Sequence, residues 1–123
     1  MKVYLRRDKT QRGHGNFFYG DYGEIPIGLS YTTIDKNNVS TSKDTEHYHK
    51  EGYEFYFTIR GEGIIEVEGK EAVLDNKHLV MVEPGEKHYV KKVLKIPFSV
   101  LTVCTTKEKD DKVVLDNGGQ KQF

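Results

Sequence analysis

The chain has 123 residues, 36% of them hydrophobic and 31% charged, and its 19 Lys and Arg balance 19 Asp and Glu to zero formal charge. That length suits one domain, spanning 1–123, and the zero balance argues against a general nucleic-acid binder and against docking on an anionic membrane. A single cysteine, Cys104, excludes an intrachain disulfide scaffold.

The N-terminal "MKVYLRRDKTQRG" has basic residues with no apolar run behind them, so no signal peptide is expected. No stretch approaches the roughly 18 apolar residues of a membrane span. The expectation is a soluble, cytoplasmic protein. The segment "TQRGHGNFF" and the C-terminal "NGGQKQF" read as loops or arms.

Helix periodicity is almost absent, and short β-rich runs recur between Gly, Asn, Asp and Pro. In chain order they are "EIPIGLSYTTID" (24–35), "YEFYFTIR" (53–60), "IIEVEG" (64–69), "EAVLD" (71–75), "HLVMVE" (78–83), "HYVKKV" (88–93), "IPFSVLTVCT" (96–105) and "DKVVLD" (111–116). About eight strands at intervals of roughly 8 to 12 residues are the spacing of an all-β barrel or sandwich.

Between the first two runs lies "EHYHKEGYEF", residues 46–55. It reads as a metal site, an acid/base pair or a polar surface strand. Alternation points His47 and His49 to one side of a strand and Tyr48 to the other. The chain turns at Lys50-Glu51-Gly52, and Glu54 opens the returning strand close to the two histidines. Downstream, "VEPGEKH" sets His88 three residues after Gly85, where a Pro-Gly turn can aim it at the same place. Imidazoles with a carboxylate suit Fe, Mn, Ni, Zn or Cu rather than an all-oxygen calcium site.

This arrangement resembles the cupin superfamily, whose motifs read G-x5-H-x-H-x3,4-E-x6-G and G-x5-P-x-G-x2-H-x3-N. His47, His49, Glu54 and Gly61 fit the first motif, and Gly85 and His88 fit the second. Thr41, Lys77, Glu83 and Lys92 stand where the motifs have Gly, Gly, Pro and Asn. The resemblance covers about residues 40–105. It implies a single cupin-type jelly-roll β-barrel of two antiparallel sheets. It also implies one divalent transition metal ion held by His47, His49, Glu54 and His88, with two positions left for water, substrate or dioxygen. Two functional classes follow: a metal-dependent enzyme acting on a small oxygen-rich molecule by oxygenation, isomerisation or lyase chemistry, or a non-catalytic ligand-binding or sensor domain. The complete ligand set favours the enzyme.

Further side chains follow from alternation. Tyr56 and Thr58 share the face of Glu54, and Lys92, four residues beyond His88, shares its face on an unbroken strand. Tyr56 and Lys92 are therefore the candidate catalytic residues. Phe55, Phe57 and Ile59 point outward and form an apolar patch that suggests a homodimer. Glu51 is the rival carboxylate to Glu54. His78 reads as a turn residue, His14 as part of a loop, and Cys104 as a small core residue. Metal binding is expected to weaken as pH falls toward the ordinary imidazole pKa of about 6.5.

Overall fold

A computed structural model describes residues 1–3, 8–9, 16–18, 26–106, 108–115 and 121–122. Its strands are β1 (Asp8–Lys9), β2 (Asn16–Phe18), β3 (Gly28–Ile34), β4 (Lys43–Asp44), β5 (His47–His49), β6 (Glu54–Val67), β7 (Lys70–Leu74), β8 (Leu79–Val82), β9 (His88–Cys104), β10 (Lys112–Val114) and β11 (Lys121–Gln122). A 3-10 turn, Lys109–Asp111, precedes β10. The architecture is a jelly-roll β-barrel.

Two long strands make the barrel. The first half of β6 lies between β8 and the second half of β9, which in turn pairs with β3. The second half of β6 lies between β7 and the first half of β9, and His88 there pairs with His47 of β5. All these pairings are antiparallel. The expected two layers are therefore present, and β6 and β9 carry the hydrogen bonding from one layer to the other.

The crossing is made by irregularities. Register shifts fall between Thr58 and Arg60, Arg60 and Glu62, Glu62 and Gly63, and Ile64 and Ile65. Bulges of this type bend a strand and raise its twist, which closes a sheet. Gly61 sits in the bend with φ of 77°. A Cβ there would run into the carbonyl oxygens of Pro97 and Lys95, so only glycine fits. The sequence reading ends one strand at Arg60 and starts another at Ile64. The chain instead runs through as one bent strand.

Alternation explains the core. Along β6 the burial runs in, half, in, out, in, out from Glu54 to Ile59, so Tyr56 and Thr58 point inward and Phe57 and Ile59 outward. Ile34, Tyr56, Ile65, Leu74, Val82, Val90, Phe98 and Val100 meet between the layers. Burying each such side chain contributes about 1.5–3 kcal/mol. Asp35 closes the turn after β3: its side chain accepts from Asn37 N–H at 2.8 Å and its carbonyl from Val39 N–H at 2.9 Å. Among the described residues no helix is long and apolar enough to cross a membrane.

Candidate metal centre and its cavity

One potential ligand atom from each of His47, His49, Glu54 and His88 lies within 4.8 Å of every other, and all four residues are buried. Three strands supply them. His47 and His49 share the inward face of β5, His88 faces His47 across the ladder at the start of β9, and Glu54 begins β6. The turn at Pro84-Gly85 is tied to the first pair, because Gly85 N–H donates to the His49 carbonyl at 2.7 Å.

What stands behind each imidazole fixes which nitrogen faces inward. His47 Nδ1 lies 2.7 Å from the carbonyl of Thr45, and His88 Nδ1 lies 2.8 Å from that of Glu86. A carbonyl only accepts, so both Nδ1 atoms carry the hydrogen. In the neutral ring Nε2 then turns a lone pair toward Glu54. His49 Nδ1 has the Asp111 carboxylate at 3.3 Å and Cys104 Sγ at 3.9 Å, and its Nε2 lies 3.0 Å from Glu54 Oε2. Glu54 Oε1 has His88 Nε2 at 2.9 Å and His47 Nε2 at 4.0 Å. With all three rings neutral, three lone pairs and a carboxylate point at one another, an arrangement that either a proton or a metal ion completes. The donor set fits a divalent transition metal ion, and each ring has the hydrogen-bonded backing that metal-bound imidazoles carry.

Asp111 joins the centre to the 3-10 turn before β10. Its two carboxylate oxygens accept from Glu51 N–H at 2.8 Å and Gly52 N–H at 3.2 Å. Gly52 is needed for that approach, since a Cβ there would come within 2.7 Å of Thr106 and 3.0 Å of Asp111 Oδ2.

The protonation pattern follows from burial and charge. Burial pushes the Glu54 carboxyl up, but its contacts with His49 and His88 outweigh it and hold the group well below the usual range. Burial pulls His49 down, yet its contacts with Cys104 and Glu54 carry it up to about 10. His47 is lowered to about 3, by burial first and then by the Lys112 ammonium. In the ion-free protein the charge of Glu54 is therefore met by a proton on His49. Tyr56 donates its hydroxyl to Glu54 Oε1 at 2.5 Å, and burial followed by the Glu54 charge raises it well above 10. It remains a phenol and a donor.

Beside the centre opens a cavity of about 110 Å³ lined by residues that include His47, Glu54, Tyr56, Ser30, Thr32 and Thr102. The expectation that Lys92 lines it is corrected. Lys92 is exposed and outside the lining, because the shift between Ile64↔Lys92 and Ile65↔Val90 breaks the alternation after Val90. The lysines that do line it are Lys43 and Lys112, with Asp44 between the centre and the mouth. None of these three was a candidate from the sequence. Lys43 and Asp44 come from a segment with little strand pattern, and Lys112, though in the predicted run 111–116, reaches the cavity only through the pairing of β10 with β5.

The remaining candidates separate cleanly. Glu51 is exposed and meets the centre only through its backbone N–H. His78 is a turn residue whose Nδ1 lies 2.6 Å from Asp75 Oδ1. Cys104 is buried as expected, but it abuts His49 and is more than core filling. His14 lies outside the described residues.

A family model described as "Cupin domain" matches residues 34–104. Nothing among curated proteins matches the sequence significantly. Solved structures of similar fold include a Streptomyces PAC13 variant with uridine, 13% identical, TM-score 0.69, covering 94% of this chain and 91% of that one. KdgF from Halomonas sp. is 14% identical with TM-score 0.64, covering 87% and 90%. A cupin protein from Bacteroides fragilis is 18% identical with TM-score 0.62, covering 89% of each chain.

Proposed function

The chain belongs to the cupin family, and from that premise we propose that His47, His49, Glu54 and His88 hold one divalent transition metal ion in an enzyme acting on a small oxygen-rich molecule. The observation that carries this is the set of three backed imidazoles turned on one buried carboxylate. One protein of the same fold lends support as an enzyme: Pac13 is a nucleoside dehydratase. The chemistry here is oxygenation, isomerisation or elimination, and Fe, Mn, Ni, Zn or Cu each suits the donors.

When bound, such an ion acts as a Lewis acid that polarises a substrate oxygen. The chain's own groups do the rest. Tyr56 fixes the Glu54 carboxylate by its hydrogen bond and presents its ring and hydroxyl to the cavity. We assign it the role of orienting Glu54 at the cavity wall, since its single hydroxyl hydrogen is committed to Oε1. Ser30, Thr32 and Thr102 offer further hydroxyls to a polar ligand, and Ile34, Phe98 and Val100 form an apolar floor that excludes water.

Element analysis after reconstitution tests the centre. One ion per chain is expected, with occupancy lost in His47→Ala, His49→Ala, Glu54→Ala and His88→Ala and kept in Glu51→Ala. Full occupancy in all four ligand variants, or none in the native protein, sinks the proposal. Turnover of a panel of small carbonyl compounds and sugar acids, followed with and without oxygen uptake, tests catalysis. Saturable binding without turnover would instead assign a sensor.

A further inference from the structure

The charge around the cavity goes beyond the metal centre. Lys43 begins β4 and Lys112 begins β10, the strand that pairs with β5 through Lys112↔His49. Both line the cavity, and both are exposed at its mouth. On the barrel's outside, Lys91 and Lys95 are closed off by ion pairs with Glu66, Glu71 and Glu62. Among the described residues neither Lys43 nor Lys112 has a carboxylate within ion-pair distance.

The one carboxyl at the mouth, Asp44, is already engaged. Its oxygens accept from Thr45 N–H at 3.0 Å and Val90 N–H at 2.8 Å, which holds it as part of the wall. Glu54 is turned inward to the three histidines. The Lys112 ammonium is close enough to act on both His47, which burial and then its charge lower, and Asp44, which burial raises against its pull. With a divalent ion on the four ligands, the ion and the two lysines outweigh the Glu54 and Asp44 carboxylates and leave the cavity net positive. An enclosed positive field selects an anion and also concentrates it.

We propose that the cavity takes a small organic anion, a carboxylate or a phosphate monoester, whose charge is held by Lys43 and Lys112 while its remaining oxygens meet the hydroxyls and the metal centre. This rests on the reading of the four ligands as a metal site. It separates this chain from the relative solved with uridine, an uncharged nucleoside at neutral pH.

Calorimetric titration of the zinc-loaded protein with matched pairs provides the test: pyruvate against methyl pyruvate, and glycerol 3-phosphate against glycerol, with uridine as a further neutral ligand. At least one anion should bind about tenfold more tightly than its neutral partner, a margin that shrinks as salt rises. Whichever pair shows the larger margin identifies the anionic group. Lys43→Met and Lys112→Met should each remove most of the preference with one zinc per chain retained, and Lys92→Met should not alter it. Anions and neutral partners binding within about twofold of each other, no binding of either anion, or a preference that survives Lys43→Met/Lys112→Met would overturn the proposal. Zinc stoichiometry is measured first, so a failed metal site is distinguishable from a failed anion preference.

Discussion

The Asp111 carboxylate lies 3.3 Å from Nδ1 of His49, on the edge of the ring opposite the one that faces Glu54. The same carboxylate accepts from Glu51 and Gly52 N–H, so one side chain sets both the turn after β5 and the orientation of an imidazole. A carboxylate behind a metal-bound histidine raises its basicity, and its loss lowers metal affinity about 10- to 100-fold. Asp111→Asn should show that loss in competition with a chromophoric chelator while the barrel stays folded. Asp111→Ala should also destabilise the fold, by about 1–3 kcal/mol for each backbone donor left buried without an acceptor. Unchanged affinity in both variants would mean that Asp111 serves the turn alone.

Stability against pH in the ion-free protein follows from the two perturbed histidines. His49 is raised from 6.5 to about 10, so its contribution is complete below pH 6.5 and is lost as pH climbs toward 10. His47 is lowered to about 3, so its contribution is complete above pH 6.5 and is lost as pH falls toward 3. Glu54, held low, adds to the acid loss, and Asp44, pushed up by burial, blunts it. Melting temperature of chelator-treated protein should therefore peak near pH 6.5. A stability that rises steadily to pH 9 would show that His49 does not hold its proton.

Metal binding then has to displace that proton. About one proton should leave per ion at pH 7 to 8, with affinity gaining roughly tenfold per pH unit. Titration in buffers of different ionisation enthalpy reads the proton directly. The ordinary imidazole value of about 6.5 sets a lower onset, because a sequence carries no record of the Glu54 and Cys104 contacts that raise His49.

The same limit runs through the rest of the site. Period-two alternation placed Glu54 and Tyr56 inside and Phe57 and Ile59 outside, because β6 is regular over that stretch. It failed at Lys92, two residues past the end of regular alternation at Val90, since a bulge leaves no reliable mark in residue types. The clustering of His47, His49, Glu54 and His88 was legible because these residues sit at fixed local spacings in two motifs. Asp111, Asp44, Lys43 and Lys112 were not, because their place at the centre depends on pairings between segments far apart in the chain.

Tyr56 and Lys92 now have opposite expectations. Tyr56→Phe removes the 2.5 Å hydrogen bond to Glu54 and leaves every metal ligand in place. Metal stoichiometry should stay at one ion, with turnover reduced about 10- to 100-fold, the range for losing a hydrogen bond that orients a metal-binding group. Lys92→Met should change neither quantity. A Tyr56→Phe protein with full activity would leave the tyrosine a packing residue.

The outer face of the barrel carries the last prediction. Phe57 is 41% exposed, Ile59 52%, Leu79 56% and Met81 47%. The ladder sets Phe57 opposite Leu79 and Phe55 opposite Met81, so these side chains form one continuous patch across β6 and β8. Apolar surface of this extent is unfavourable in water, and pairing with a second copy through a two-fold axis would cover it on both chains at once. A stable dimer buries about 800 Å² per partner. Sedimentation at micromolar concentration should give twice the 14.2 kDa chain mass, and Phe57→Glu combined with Leu79→Lys should return the protein to monomer with the same metal content. A native protein that sediments only as monomer would rule out the dimer.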